Sequence, residues 1–347
     1  MRPRWSLGLG VLFLALGYCD TALADFQDRV ELHGFGSAGY LQTSGNKYLS
    51  ADSSGTWDHY AAALLLTGTL ADRTKLWGQV FTGSTGPNHT HLDWLFIDYH
   101  YNSNLALRAG RVKLPMGLYN EIREAEFLQL SAIAPMVYQV SSEIADEAFE
   151  GASLVFDHDL GGGSMSWDVF TGKTIDDQSA EIKYQGLRGG RITYNTPIEG
   201  LRFMASGHWE NVERVTTAEK NTETTTMFSA DFVRDNFDLK SEYAHKATFG
   251  IDSNSGYFQA GYTIAEKWTP YFRSDFVVTD ISQSNDPSYY QRSQVVGLGY
   301  KVNKQVGLRV ESHFNHGYGL PVASGEVAAG AGVIDWRILA ASVNSMF

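Results

Sequence analysis

A two-residue period, held over runs long enough to cross a bilayer, restricts this chain more than any other feature. Leu201, Phe203, Ala205, Gly207 and Trp209 alternate with Arg202, Met204, Ser206, His208 and Glu210, which places apolar and polar groups on opposite faces of a strand. The split recurs in Phe237, Leu239, Ser241 and Tyr243 against Asp238, Lys240 and Glu242. Trp268, Pro270, Phe272 and Phe276 oppose Thr269, Tyr271, Arg273 and Asp275, and Val306, Leu308, Val310 and Phe314 oppose Arg309, Glu311 and His313. These runs span about nine to thirteen residues, against five or six in a soluble strand and about nine to eleven in a tilted membrane-spanning one. A soluble sandwich alternates too, so the repeated length decides for a barrel. After residue 24 no apolar run approaches the roughly 20 residues of a spanning helix, so any insertion would use strands.

The connections give an independent count. Short turns fall at Asp72-Arg73-Thr74, Asn102-Ser103-Asn104, 158–162, 197–200, Asp235-Asn236, Glu266-Lys267 and Asn303-Lys304, all rich in residues that tolerate turn dihedrals. Longer polar connections alternate with them near 42–56, 84–90, 113–146, 172–184, 214–221, 249–254, 281–290 and 318–332. Seven turns and eight loops join sixteen antiparallel strands, an even number with short links at one end and long ones at the other. A sheet in hydrocarbon must pair every backbone N–H and C=O, and it does so by closing on itself.

The N-terminus reads as a secretory leader. Arg2 and Arg4 precede an apolar core at 5–16, and Ala22-Leu23-Ala24 supplies small residues for cleavage, so residues 1–24 are expected to be removed and 25–347 to form one barrel domain. A lipoprotein leader would want a small residue before Cys19, where Tyr18 stands. Cys19 is the only cysteine, so the mature chain has neither disulfide nor thiolate metal site. The chain carries 27 Lys plus Arg and 39 Asp plus Glu; without Arg2, Arg4 and Asp20 this becomes 25 against 38, a net of −13, which disfavours nucleic acid as a partner. Eighteen Tyr, 19 Phe and 35 Gly accompany a mean hydropathy of −0.22, a combination that suits strands with aromatic ends at a lipid interface.

Three local patterns invite other chemistry. Gly34-Phe35-Gly36-Ser37-Ala38-Gly39 matches a dinucleotide fingerprint, but that motif needs a helix after it and here it lies in a period-two strand. Gly172-Lys173-Thr174 imitates the end of a P-loop, yet Trp167 occupies the position of its leading glycine. His89, His91 and Asp93 have spacing that a surface metal could use, although histidines beside a loop are usually polar rim. No cofactor is expected. A hydrolase on the barrel rim is the enzymatic rival, and no local signature singles out a nucleophile with its base.

The chain ends on Leu339, Ala341, Val343, Ser345 and Phe347 in alternation, similar to the terminal signature that the outer-membrane assembly machinery reads. His33-Gly34-Phe35-Gly36-Ser37-Ala38-Gly39-Tyr40 and Arg108-Ala109-Gly110-Arg111-Val112-Lys113-Leu114-Pro115-Met116-Gly117-Leu118-Tyr119-Asn120-Glu121 add to the likeness. On these residues the sequence resembles Gram-negative outer-membrane porins, most nearly the phosphate-selective porin-like group of sixteen-stranded trimers. The resemblance implies a homotrimer among membrane lipids and lipopolysaccharide, passing small hydrophilic solutes, with a third loop folded into the lumen. Phosphate selectivity does not transfer, because the wall mixes acids with bases where those relatives carry a basic ladder.

That third loop, about 113–146, is the longest connection, and unstructured loops beyond roughly fifteen residues tend to be functional. It holds Glu121, Arg123, Glu124, Glu126, Glu143 and Asp146, so as a constriction its field would be acidic and mildly cation-preferring. As a loop outside the barrel it would be a solvated charge run. Candidates to face it from the wall are Arg108, Arg202, Arg273 and Arg309 among the bases and Asp231, Glu242, Asp275 and Glu311 among the acids.

Overall fold

A computed structural model describes residues 29–84, 90–139, 147–175 and 182–347. The expected leader, His89, Glu143 and Asp146 lie outside them. The strands are β1 (Val30–Ser44), β2 (Thr56–Ala71), β3 (Thr74–Gly83), β4 (Thr90–His100), β5 (Leu105–Lys113), β6 (Ala148–Asp159), β7 (Ser164–Thr174) and β8 (Ile182–Asn195). Then come β9 (Leu201–Arg214), β10 (Lys220–Arg234), β11 (Phe237–Thr248), β12 (Ile251–Tyr262), β13 (Trp268–Val278), β14 (Tyr290–Lys301), β15 (Val306–His316) and β16 (Asp335–Met346). Each pairs antiparallel with its neighbours in sequence, and β1 pairs with β16, so the sixteen strands form a closed barrel without an edge. Phe347 completes the seam: its N–H donates to Gly34 O at 2.9 Å and its carbonyl accepts from Gly34 N at 3.0 Å.

Burial is inverted relative to a soluble protein. On β13, Arg273 and Asp275 are 1% and 2% exposed while Trp268 and Phe272 are 45% and 40% exposed, and β10 sets Phe228 outward at 61%. Such a wall is stable only where its exterior meets hydrocarbon. Aromatic pairs at the short-turn ends, Trp268 with Tyr300 (4.3 Å between centroids) and Phe237 with Tyr262 (4.8 Å), form part of an interfacial girdle. No helix among the described residues is long and apolar enough to cross a membrane, which says nothing against crossing by strands.

Several expected boundaries change. Strands run from nine residues in β5 to sixteen in β2, so the longest outrun the alternation. The connection expected at 249–254 shrinks to Phe249-Gly250, because β12 already begins at Ile251. Asp252, Ser253 and Asn254 read as loop because they are polar, but a strand that continues above the hydrocarbon band meets water and carries polar residues without cost. Among its described residues the connection after β5 contains three 3-10 turns, Asn120–Ile122, Glu126–Leu128 and Met136–Tyr138, and is therefore not structureless. Gly34 to Gly39 lies within β1, with no helix following, so the dinucleotide pattern has no phosphate cradle.

Gly110, in mid-β5, has φ +134, and a Cβ there would stand 2.5 Å from Leu95 O and 2.9 Å from Phe96 Cα. Backbone cannot yield as a side-chain tip can. Gly110→Val is expected to cost about 1–3 kcal/mol, read as a smaller fraction of the folded, heat-modifiable form in a urea titration of detergent-refolded protein; an unchanged midpoint would reject this reading of the β4–β5 contact.

Candidate functional site

The segment 114–139 lies against inward side chains of the wall. It leaves β5 through Pro115 and turns at Gly117, whose φ is +58 and where a Cβ would crowd Met227 Sδ at 2.6 Å, Glu242 at 2.7 Å and the Tyr138 hydroxyl. Only glycine suits both the dihedral and the space. The Gly117 N–H donates to Ser206 Oγ on β9 (3.2 Å) and the Leu118 N–H to Glu242 Oε1 on β11 (2.7 Å).

From there the contacts follow the barrel in order. Glu121 pairs with Arg191 of β8, which also holds Asp168 of β7 at 2.9 Å. Glu124 meets Lys113 of β5 at 2.9 Å. Ala125 packs with Phe35, Ala63 and Phe81 of β1, β2 and β3. Glu126 accepts from Ser37 Oγ of β1 (3.0 Å) and lies 3.3 Å from His59 of β2. Arg309 of β15 donates to Gln129 O (2.6 Å) and Leu130 O (3.2 Å). Glu311, also on β15, accepts the Ala132 and Ile133 N–H groups (3.1 and 2.9 Å) and the Tyr271 hydroxyl (2.6 Å). Arg273 donates to Ile133 O (3.0 Å) and to Asp275, which accepts from Met136 N at 3.2 Å. Finally Tyr138 donates to Glu242 Oε2 at 2.6 Å and accepts from Leu118 N at 3.0 Å. The segment thus runs once round the wall and closes on itself at Glu242, a collar of residues 118–138.

Glu242 is the clasp. Besides Leu118 and Tyr138 it accepts from Ser229 (2.6 Å) and Tyr257 (2.9 Å), so one buried carboxylate takes four donors. Such a charge is tolerable because its lone pairs are satisfied. Burial, and then the Glu242 charge, push the Tyr138 phenol well above its usual range, so it stays a donor. The Tyr119 phenol is raised likewise, first by burial, and accepts from Gln259 Nε2 at 3.3 Å.

Opposite lies a charge cluster. Asp93, Glu124 and Glu147 bring carboxylate oxygens within 4.8 Å of one another, the spacing of a cation site. Lys113 Nζ stands among them, 3.1 Å from Asp93 and 2.9 Å from Glu124 and close to Glu147, so the chain supplies the cation itself. Arg123 adds a 3.2 Å contact to Glu147. Burial, then the Glu147 charge, raise Glu124 well above the usual carboxylate range. At Glu147 burial acts the same way, but Lys113 and Arg123 outweigh it and hold that carboxyl well below the range.

Of the expected wall residues, Glu242, Arg273, Asp275, Arg309 and Glu311 touch the collar. Arg108 and Arg202 do not: they pair across strands with Asp98 (3.5 Å) and Asp231 (2.9 Å) in the short-turn half. Glu121, Glu124 and Glu126 are each partnered rather than free. Arg191, Asp168, Tyr138 and Tyr257 are absent from the sequence candidates, and Lys113 and Tyr271, which stand there in a motif and in an alternating run, carry no mark of a place beside the loop. The alternation that marks Arg273 as inward marks Asp168 and Arg191 too, but it carries no sign of their partner.

No family model and no curated protein matches the chain. Solved structures do. OmpF of Salmonella typhi, in a complex with daunomycin, aligns over 92% of this chain and 97% of its own at 15% identity and a TM-score of 0.63. An anion-selective porin from Comamonas acidovorans aligns over 92% and 99% at 14% identity, TM-score 0.63. DcaP, an outer-membrane channel of Acinetobacter baumannii, aligns over 92% and 97% at 13% identity, TM-score 0.60. The chain shares the closed sixteen-stranded barrel fold of these outer-membrane channels.

Proposed function

We propose that this protein is a passive channel in the outer membrane of a Gram-negative bacterium, open to small hydrophilic solutes and ions and narrowed by the collar at 118–138. The inverted burial carries the reading: charged and polar side chains such as Arg273, Asp275, Gln259 and Glu311 line the inside of a tube whose outside is apolar. A hydrated bore of this kind needs no cofactor and no chemical step, since width sieves and fixed charge biases. Its likeness to porins in fold and in the Phe347 terminus supports assembly as a homotrimer among lipopolysaccharide. Planar-bilayer recording of the purified full chain is expected to show stepwise openings; a folded, heat-modifiable barrel that never conducts would overturn the channel.

A closed barrel with a filled bore is the second reading, favoured by the completeness of the collar. Liposome swelling by small sugars separates the two, being present for a channel and absent for a plug.

Selectivity follows from the same contacts. Among the described residues of 114–139, Glu121, Glu124 and Glu126 outnumber Arg123, and their pairing with wall cations makes the cation preference mild. Neutralising Glu121, Glu124 and Glu126 together removes three acidic groups from the collar, while Lys113 keeps Asp93 and Glu147 and Arg191 keeps Asp168 as partners. The reversal potential in a salt gradient is expected to show a reduced cation preference, and an unchanged value would remove these carboxylates from the conduction path.

A further inference from the structure

The outward face of the barrel is apolar through its middle, but one sector near the long-loop ends carries cations. β14 presents Arg292 and Gln294, β15 Phe314 and His316, and β16 Asp335 and Arg337, all exposed, while their neighbours Ser293, Asn315 and Trp336 are buried inward. Strand register sets Arg292 opposite His316 and His316 opposite Asp335; one pair lower, Gln294 faces Phe314 and Phe314 faces Arg337. Beyond them toward the short turns the same face is Val296, Val310 and Leu339, all about half exposed.

The two arginines are held but not neutralised. The Arg337 guanidinium lies 5.1 Å from the Phe314 ring centre and that of Arg292 5.9 Å from the Tyr290 ring centre. Among the described residues neither forms an ion pair with a carboxylate, since the nearby Asp335 is taken by His316 Nδ1 at 2.8 Å. Tyr290 and His316 join at 3.3 Å, bridging the sector. A guanidinium on the lipid face costs about 2–4 kcal/mol at mid-bilayer and close to nothing at the interface, so this row marks the headgroup level. With the long loops outside the cell, that level belongs to the outer leaflet. Guanidinium forks match phosphate oxygens bidentately, and aromatic faces keep them in place.

We propose that Arg292 and Arg337, with Tyr290 and His316 between them, form a docking site for the phosphate groups of an anionic glycolipid headgroup of the lipopolysaccharide class. The inference rests on the outer-membrane reading but not on conduction. Native mass spectrometry of the full chain from detergent, titrated with bisphosphorylated lipid A, is expected to show bound lipid whose affinity falls about tenfold or more in R292Q/R337Q. Dephosphorylated lipid A is expected to bind weakly and equally to both proteins, and R73Q at the opposite rim to behave as wild type. Equal affinity of the wild type and double variant for bisphosphorylated lipid A, or equal binding of the two lipids, overturns the site. Displacement of the lipid by millimolar inorganic phosphate also overturns it, by identifying a free-anion site. Heat-modifiable migration of R292Q/R337Q checks its fold, and its bilayer conductance, expected unchanged, keeps the failure of this site distinct from failure of the channel.

Discussion

Replacing residues 118–138 by a short Gly-Ser bridge is expected to raise single-channel conductance roughly two- to fivefold, because a sixteen-stranded wall encloses an aqueous bore once nothing fills it. The bridge leaves β5 and β6 paired along their whole register, from Leu105 opposite Phe156 to Lys113 opposite Ala148, so the barrel has no reason to open. It does strand the buried charges that the collar satisfies, notably Glu242, Glu311 and Arg273, but in a flooded bore water takes over those hydrogen bonds. Folding should be confirmed by heat-modifiable migration before recording. An unchanged conductance from correctly folded protein would show that the collar does not obstruct the path. Currents appearing only after the deletion would identify the intact chain as a plugged barrel.

The second large effect is expected at Glu242. Glu242→Ala removes the acceptor of four hydrogen bonds and leaves the Leu118 N–H and the Tyr138 hydroxyl without their shared partner, at about 1–3 kcal/mol for each buried donor left unmade. Since this is where the collar closes on itself, the predicted result is a looser collar rather than a lost barrel: noisier open-channel current, a higher mean conductance and faster proteolysis within 118–138, with β-sheet circular dichroism intact. Glu242→Gln, which keeps one acceptor oxygen, should fall between. Asp231→Asn, which disturbs a wall pair with no collar contact, should leave the current unaltered. Equal noise in the wild type and Glu242→Ala would refute the clasp.

Much of the barrel was legible from sequence because alternation is a local property. Trp268 and Phe272 outward, Arg273 and Asp275 inward, follow from parity alone, and the seven short turns between strands are where turn residues cluster. Parity gives a face, however, and neither a height nor a direction across the bore. Arg202 and Arg273 share the inward phase, yet one pairs in the short-turn half with Asp231 and the other holds Ile133 across 140 positions of sequence. The acidity of the third loop was legible too. Its neutralisation was not, because Arg191 reaches Glu121 across 70 positions of sequence, and the spacing of 11 between Lys113 and Glu124 carries no sign that the loop folds back on the end of β5. The turn at Phe249-Gly250 was hidden by polar strand residues standing above the hydrocarbon.

The clasp at Glu242 also bears on the order in which the molecule assembles. It lies on β11 with its wall donors on β10 and β12, and the collar's other anchors sit on β8, β13, β15 and β1, so the collar has no complete set of partners until the final hairpins have joined the first strand and the seam at Phe347 has sealed. Sequence separations of this size make such contacts late ones. The nascent barrel therefore passes through a wide, leaky stage, and the narrow bore is the last thing the protein acquires.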